Sequence, residues 1–374
     1  MGDHSKKKPS SKPSQKGRDD IAKKGREQIM HELPSASVSE ALLPRATFWK
    51  DLAAKGPILA LAPMAGYTDT AYRQLIKGIE PRTICFTEFT SADGIVYESA
   101  NTLSQLDFNP KEEKPLVAQI FGKKPDHFAK AAAKIQSMGI DALDINMGCP
   151  AQKVVSSDHG SALFKNPAQT LKLVEAAVKG TSLPVSVKMR LGISQIDLPW
   201  LVQFCKDLES VGVALLTIHG RTAKQMYTGL ANWEPIYEVK RNVGIPVIGN
   251  GDIKSAADAL AKIGNLDGVM VGRGTMGNPW LMREIAAAFH GESYTPPQTF
   301  SEKLPFVIRH CELNVESKGE RRGMLEMRKH LASMLRGFEG ASHYRAQVVR
   351  VETLADAKAI LMEIDGFLRE GFTP

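Results

Sequence analysis

ALDINMGCP, residues 142–150, is an apolar run that ends abruptly in residues that break regular structure. The run has the composition of a buried strand, which Gly148 and Pro150 then interrupt. A cysteine between a glycine and a proline at a strand end is exposed to whatever binds there. Because cysteine reactivity follows exposure and environment, we interpret Cys149 as a chemically active residue. The other three cysteines lie within apolar runs and are interpreted as core residues: Cys85, Cys205 and Cys311.

Eight short apolar runs, most of them rich in β-branched residues, follow one another from residue 58 to residue 271. The predicted strands are Ile58–Ala62, Thr83–Thr87, Leu116–Ile120, Ala142–Asn146, Val185–Met189, Ala214–Ile218, Pro246–Gly249 and Gly268–Val271. Amphipathic helical stretches separate most of them, for example Pro125–Met138, Pro167–Val178, Pro199–Val211 and Ser255–Ile263. Strand–helix alternation repeated eight times over roughly 240 residues is typical of an α/β protein with a (β/α)8 TIM barrel. A doubly wound open sheet is the main alternative, but the GxGxxG motif expected after its first strand is missing.

The composition changes on both sides of the predicted barrel, which we assign to residues 46–295. Residues 1–45 are rich in Lys, Ser and Pro and are predicted to form a disordered basic tail. Residues 300–374 are predicted to form a small helical bundle. Its expected helices are Pro305–Ser317, Met324–Arg336, His343–Val351 and Leu354–Leu368, with breaks at Gly319, Gly323, Gly337 and Gly340. Thr353 and Asp356 are spaced as a capping box that opens the last helix.

The overall composition, with 43% hydrophobic and 24% charged residues, is that of an ordinary globular protein. No apolar run approaches the ~18 residues that cross a bilayer, and no secretion signal is visible, so we expect a cytoplasmic location. Four cysteines without a CxxC pair argue against a disulfide framework and a metal site. The net charge of +7 is concentrated in residues 1–27 and 303–350, which each carry +5. Such a distribution is expected if both regions contact a polyanion.

Polar residues follow seven of the eight predicted strands, where barrels place their functional groups. Glycine-rich ends at two neighbouring strands, together with Arg273, predict a phosphate site, because backbone N–H groups can approach an anion there. Lys188 ends an apolar strand, where its ammonium can neutralise an electron-rich ring that gains charge on reduction. The residues predicted to bind a cofactor are Pro63, Met64, Ala65, Gln119, Lys188, His219, Asn250, Gly251, Asp252, Gly272 and Arg273.

Five segments, in order along the chain, resemble the tRNA-dihydrouridine synthases. They are residues 62–69 (APMAGYTD), 146–150 (NMGCP) with Lys153, 187–192 (VKMRLG), 219–222 (HGRT) and 249–253 (GNGDI). Residues 327–330 (MRKH) are similar to part of the family's helical tRNA-binding domain. The resemblance covers about residues 57–340 and is greatest to the bacterial synthase B subgroup, whose shorter pattern lacks the tail at residues 1–45.

This resemblance implies an enzyme that reduces the C5=C6 bond of a D-loop uridine in tRNA, with non-covalent FMN as cofactor and NADPH as electron source. Cys149 would be the general acid that protonates C5, since a thiol with an unperturbed pKa of ~8.5 stays mostly protonated near neutrality. The uridine must leave its stack for both faces of its ring to be reached. The residues implied to contact tRNA are Asn146, Lys153, Arg190, Arg221, Arg328 and Lys329.

Two other functions remain open at this point. An FMN barrel acting on a small molecule, like a dihydroorotate dehydrogenase or an ene-reductase, would share the phosphate site but not explain the basic helical region. An RNA-binding protein that has lost its chemistry would not need Cys149, Lys188 and the phosphate loops. For Lys153 and Arg221, a solvated surface position is an alternative to substrate contact. No metal, membrane or obligate protein partner is predicted.

Overall fold

The computed structural model describes residues 43–150 and 159–370. Nearly all of the predicted disordered tail, together with Lys153, lies outside the described residues. The first described helix, α1 (Leu43–Ala54), begins before the predicted end of that tail. Its Trp49 is fully buried against the interior side chains of the strands that follow and closes one end of the fold.

Parallel strands close into a barrel. They are β1 (Ile58–Leu61), β2 (Ile84–Phe86), β3 (Thr90–Ser91), β4 (Leu116–Phe121), β5 (Ala142–Met147), β6 (Val185–Arg190), β7 (Leu215–His219), β8 (Val247–Asn250) and β9 (Gly268–Val271). β9 pairs with β1, and β2 and β3 both pair with β4, so that eight strand positions form a closed ring. The predicted TIM barrel is therefore confirmed, and each predicted strand has an observed counterpart.

The second strand position differs from its prediction, because Thr83–Thr87 covers only its first half. From residue 86 to residue 90 this strand advances by four residues, while β4 advances by three, from 117 to 120. The extra residue forms a bulge, a feature common beside active sites. It places Glu88 where its carboxylate accepts a hydrogen bond from the backbone N–H of Gly66, and it brings Phe89 to the barrel mouth.

The barrel helices lie outside the strands, and most of them bury apolar residues against the barrel. They are α2 (Thr70–Ile79), α3 (Ala92–Val96), α4 (Ala100–Leu103), α5 (Pro125–Ser137), α6 (Pro167–Lys179), α7 (Leu198–Ser210), α8 (Glu234–Asn242), α9 (Ala256–Ile263) and α10 (Leu281–His290). Four of these helices, α5 to α8, carry a proline in the first turn. Proline suits that turn because its fixed φ is helical and its missing N–H would have no partner there.

Four further helices form the predicted bundle, which is confirmed. They are α11 (Phe300–Lys318), α12 (Glu320–Met334), α13 (Ala341–Val348) and α14 (Leu354–Arg369). The capping box of Thr353 and Asp356 is present at the start of α14. The bundle has an apolar core of its own, and Leu313 of α11 also joins the core of the barrel.

Two details of the predicted bundle were wrong. α11 begins at Phe300 and not at Pro305, because a capping box of Thr299 and Glu302 starts the helix earlier. Gly323 lies inside α12 and is not a break between helices. A Cβ at this position would come within 2.6 Å of the backbone oxygen of Asn314 in α11, so the glycine allows the two helices to pack closely.

The bundle packs against α2 and the first loop of the barrel (residues 62–69). His310 of α11 and His330 of α12 are fully buried there, and their ring nitrogens have no hydrogen-bond partner among the described residues. The ring centroid of His330 lies 4.1 Å from that of Tyr67 and 4.6 Å from that of His310, which is 5.4 Å from Tyr72. Burial lowers the pKa of His310 to about 4 and that of His330 well below its usual value, so both imidazoles are neutral.

Acid should therefore weaken this interface through His310, which also faces Asp69, Lys318 and Lys329. The pKa of His310 is about 6.5 in the unfolded chain and about 4 in the folded chain. At a pH between these two values, the unfolded chain binds a proton that the folded chain does not bind. When the pH is lowered from 7 to 5, protonation of His310 in the unfolded chain decreases the unfolding free energy of the wild type by about 2 kcal/mol. His310→Leu should not show this decrease. Denaturant titrations at both pH values measure the difference. His343→Leu, at an exposed position of α13, is the control, and a pH-independent difference between His310→Leu and wild type would contradict this expectation.

Candidate active site

A cavity of about 750 Å³ opens at the carboxyl ends of the strands. Nine of the eleven residues predicted to bind a cofactor line it, namely Pro63, Met64, Lys188, His219, Asn250, Gly251, Asp252, Gly272 and Arg273. Asn146, Cys149, Arg190 and Arg221 line the same space. Ala65, which is exposed, and Gln119, which is fully buried, do not line it. The structure thus brings most of the predicted site together.

The register between neighbouring strands explains why these residues meet. Asn146 of β5 pairs with Lys188 of β6. Arg190, two residues further along β6, pairs with His219 of β7, which in turn pairs with Asn250 of β8. Alternate residues of a strand share one face, so these side chains lie side by side on the inner face of the barrel, at the mouth.

A buried chain of hydrogen bonds lies beneath the cavity and fixes the position of Cys149. The carboxylate of Asp144 accepts hydrogen bonds from Ser186 Oγ at 2.5 Å and from Gln119 Nε2 at 2.6 Å. Gln119 Oε1 accepts one from Asn146 Nδ2 at 2.7 Å, and Asn146 Oδ1 accepts one from the backbone N–H of Cys149 at 3.0 Å. Gln119 therefore orients Asn146, and its predicted contact with a cofactor stays a prediction.

Lys188 and His219 give the cavity one cationic and one neutral group. Lys188 Nζ donates to Oδ1 of Asn250 at 3.3 Å, and Asn250 Nδ2 donates to the backbone oxygen of Met270 at 2.8 Å, which fixes the amide orientation. Burial, followed by the charge of Arg190, lowers the pKa of Lys188 to about 8. Burial and the surrounding cations lower the pKa of His219 to about 2, so His219 forms hydrogen bonds without adding charge.

Arg190 and Arg221 are buried, and their guanidinium groups donate hydrogen bonds to other atoms of the protein. Arg190 donates to three backbone oxygens at 2.8–2.9 Å, those of Gly148, Thr222 and Met226. Arg221 donates to Asp252 Oδ2 at 2.7 Å and to the backbone oxygens of Thr228 and Gly229. Both side chains hold the loops around the cavity in place, and their predicted contact with tRNA stays a prediction.

The ends of β8 and β9 leave an open cationic corner in the cavity. The side chain of Arg273 is 49% exposed, and its guanidinium lies 4.2 Å from the ring centroid of Tyr227. Its NH2 group is 3.7 Å from the carboxylate of Asp252, too far for a full hydrogen bond, so its donors can turn to a bound anion. Gly251 has a φ of 131°, and a Cβ on it would lie 2.7 Å from Cβ of Ala231, so only glycine fits without strain.

Several residues of the site were missed by the sequence analysis. Asp144 lies between the apolar Leu143 and Ile145 of β5, and an acid at such a position was a signal that could have revealed the buried chain of hydrogen bonds. Phe89, Tyr227 and Leu230 also line the cavity. Phe89 lies in the bulge, and Tyr227 and Leu230 lie in an exposed loop after β7. Neither segment has the periodic pattern of apolar residues by which strands and helices are predicted.

The two bundle residues predicted to contact tRNA have different surroundings. Arg328 is partly buried and donates to the backbone oxygens of Val351 and Arg350 at 2.9 and 3.3 Å. Lys329 is exposed, and its Nζ would lie 3.6 Å from a Cβ on Gly66 of the first loop. Lys329 therefore lies beside the barrel mouth.

The described residues contain no group of three or more His, Cys, Asp or Glu side chains that could hold a metal ion. Among the helices that the structure describes, none is both long enough and apolar enough to cross a membrane.

Comparison with known proteins identifies the family. The family model described as dihydrouridine synthase (Dus) matches residues 60–369. The chain belongs to the dihydrouridine synthase family. The predicted family is thus confirmed, as is the prediction of an oxidoreductase, while similarity to the synthase B subgroup stays a prediction.

Curated relatives agree with the family model over most of the chain. A "Probable tRNA-dihydrouridine synthase 1" from Synechocystis is 38% identical over 304 residues, which is 80% of this chain and 84% of the relative. A "Probable tRNA-dihydrouridine synthase" from Mycobacterium tuberculosis is 36% identical over 329 residues, covering 83% of this chain and 84% of the relative. One from Rickettsia bellii is 36% identical over 295 residues, covering 78% and 89%.

The different burial of the four cysteines gives a direct test of the site geometry. Cys85, Cys205 and Cys311 are buried, and burial raises their pKa values, that of Cys85 to about 12. Cys149 is partly exposed in the cavity. A thiol reagent should therefore label the native protein once per chain, at Cys149, because only an accessible thiol reacts quickly. Mass spectrometry counts the labels. Cys149→Ala should take none, and rapid labelling at a second cysteine would contradict the described burial.

Proposed function

We propose that this protein is a tRNA-dihydrouridine synthase that reduces the C5=C6 bond of a uridine, in the D-loop, with FMN as bound cofactor and NADPH as electron source. The observation that carries the proposal is the meeting, in one cavity, of the Cys149 thiol, the Lys188 ammonium and the glycine-rich ends of β8 and β9. The names of the curated relatives support tRNA as the substrate. A cytoplasmic location stays a prediction.

The residues of the cavity fit a flavin mononucleotide. Gly251, Gly272 and Arg273 offer backbone N–H groups and a guanidinium to a phosphate. Lys188 and Asn250 lie deeper and suit the polar edge of a flavin ring, where negative charge grows on reduction. Pro63 and Met64 of the first loop supply an apolar wall. The bound flavin would supply hydride to C6 of the uracil ring.

The protein's own contribution to the chemistry is a positioned proton at C5. The Cys149 backbone is fixed by Asn146, which Gln119 and Asp144 hold from below. Asp144 is fully buried, and burial raises its pKa to about 6, while its bonds to Gln119 and Ser186 act in the opposite direction. As the hydride reaches C6, the Cys149 thiol would donate its proton to C5 and become a thiolate. Lys188 and Arg190 line the same cavity, and their charges favour that thiolate.

The RNA would lie across the barrel mouth and the bundle. Lys329 stands beside the first loop, and Arg321 and Arg322 are exposed at the start of the same helix, α12. Lysine and arginine side chains neutralise phosphates and hold an RNA without reading its sequence. A uridine extruded from that RNA can then enter the cavity, as base-modifying enzymes require.

Replacing Arg273 with Ala should weaken FMN binding. A hydrogen bond to a charged group contributes roughly 1.5–3 kcal/mol, so the dissociation constant should rise about ten- to a hundredfold or slightly more. Titration of the apoprotein, followed by flavin fluorescence, measures it. Arg241→Ala is a matched control, because Arg241 is similarly exposed and pairs with Glu238 on α8. An unchanged constant in Arg273→Ala would remove this residue from the phosphate site.

Replacing Cys149 with Ala should separate the two halves of the reaction. Flavin reduction by NADPH should stay near the wild-type rate, because hydride exchange between the cofactors needs no proton from Cys149. Dihydrouridine formation should fall by the ~10²–10⁴ that a positioned general acid contributes. Stopped-flow measurement of each half-reaction tests this. Equal slowing of both halves would mean that Cys149 supports the flavin or the fold and is not the acid.

A further inference from the structure

The first loop connects the cavity to the helical bundle. Its Pro63 and Met64 line the cavity, and its last residue, Asp69, caps α2 by accepting a hydrogen bond from the backbone N–H of Tyr72 at 2.9 Å. Inside the loop, the backbone N–H of Met64 donates to Thr68 Oγ1 at 2.9 Å, and the N–H of Thr68 donates to the Met64 oxygen at 3.0 Å. A loop closed by its own hydrogen bonds moves as a unit, so a shift at Asp69 is transmitted to the cavity wall.

Ser333 of α12 contacts two loops that border the cavity, the first loop and the loop after β9. Tyr67 Oη of the first loop lies 3.2 Å from Ser333 Oγ. In the loop after β9, a Cβ on Gly277 would lie only 2.2 Å from the backbone oxygen of Ser333. The loop after β9 is also joined to α2, the helix that follows the first loop, since Tyr72 Oη donates to the backbone oxygen of Thr275 at 2.8 Å. The bundle therefore touches the walls of the cavity from outside.

Lys318, at the end of α11, is the charged link in this contact. Its ammonium donates to Asp69 Oδ2 and, at 2.6 Å, to Glu326 Oε2 of α12. The side chains of Lys318 and Asp69 are only 12% and 8% exposed. Removal of one partner from a pair so far out of water leaves the other charge uncompensated, which is costly. Without Lys318, Asp69 would turn towards water and take the loop with it.

We propose that Lys318 is a positioning residue of the flavin site and that the docked bundle, through Lys318 and Asp69, sets the affinity for flavin. This inference rests on the proposed function, because it takes the cavity to be the flavin site. Neither Lys318 nor Asp69 lines the cavity, so both act through the first loop. The bundle then serves two purposes, since it would hold the RNA and shape the cofactor site.

A purely structural interface would behave differently. If Lys318 only held bundle and barrel together, its loss would lower the free energy of unfolding but leave the flavin affinity of the folded protein unchanged. Affinity must therefore be measured on the full chain well below the unfolding midpoint of each variant. Lys358→Met is the matched control, because Lys358 pairs with Glu312 at 2.8 Å, between α14 and α11, inside the bundle.

The experiment compares FMN dissociation constants of wild type, Lys318→Met, Lys318→Arg and Lys358→Met by quenching of flavin fluorescence. Lys318→Met should bind FMN about tenfold more weakly, Lys358→Met should match the wild type, and Lys318→Arg should recover most of the loss because it keeps the charge. Equal constants for Lys318→Met and Lys358→Met would overturn the inference and leave the proposed function standing. A wild type that binds no flavin would overturn both.

A second variant covers the case in which Lys318→Met does not fold. Asp69→Asn removes the negative charge at the other end of the link but keeps a good helix cap for α2. It should weaken FMN binding to a similar extent as Lys318→Met, but lower the thermal stability of the apoprotein less, because Lys318 keeps its ion pair with Glu326. Wild-type affinity in Asp69→Asn would overturn the role of this link.

Discussion

Closure of the parallel sheet between β1 and β9 is the constraint on which the rest of the structure depends. Once the ring is closed, all strands run in one direction, and their carboxyl ends meet at one mouth. The register then decides which side chains are neighbours. Asn146 beside Lys188, and Arg190 beside His219, follow from strand pairing and not from closeness in sequence. The cavity is the consequence of these pairings.

Burial determines which layers of the barrel interior are apolar, polar or charged. The interior around Trp49 is apolar, whereas the layer of Asp144, Gln119 and Asn146 is polar and internally hydrogen-bonded. A buried polar layer is tolerated only if its members satisfy one another, and such a layer holds its side chains in one arrangement. The same burial keeps His219 neutral, so the positive charge of the mouth comes from Lys188 and the arginines.

The sequence predicted much of the fold and of the site because both follow local patterns. Strand–helix alternation predicted the barrel, and the residues at and just past the strand ends included nine predicted cofactor-binding residues that line the cavity. The bulge at Glu88 could not be predicted, because it depends on how many residues the neighbouring strand supplies. The sequence alone predicts a helix break at Gly323, because nothing in one sequence shows that Asn314 of another helix approaches it. Long-range contacts of this kind, including Lys318 with Asp69, arise only on folding.

The charge distribution suggested a neutral barrel for chemistry and a basic bundle for RNA, as separate parts. The structure joins them, since Ser333 and Lys318 of the bundle contact loops that border the cavity. In the proposed function the bundle holds the RNA and the barrel holds the cofactor, so the two binding regions are in direct contact.

We propose that the cavity reduces a uridine in tRNA. The most direct test is mass spectrometry of unmodified tRNA after incubation with the purified protein, FMN and NADPH. One uridine should gain the mass of two hydrogen atoms, and Cys149→Ala should leave the tRNA largely unchanged. An unaltered tRNA with a wild-type protein that binds FMN and oxidises NADPH would contradict it.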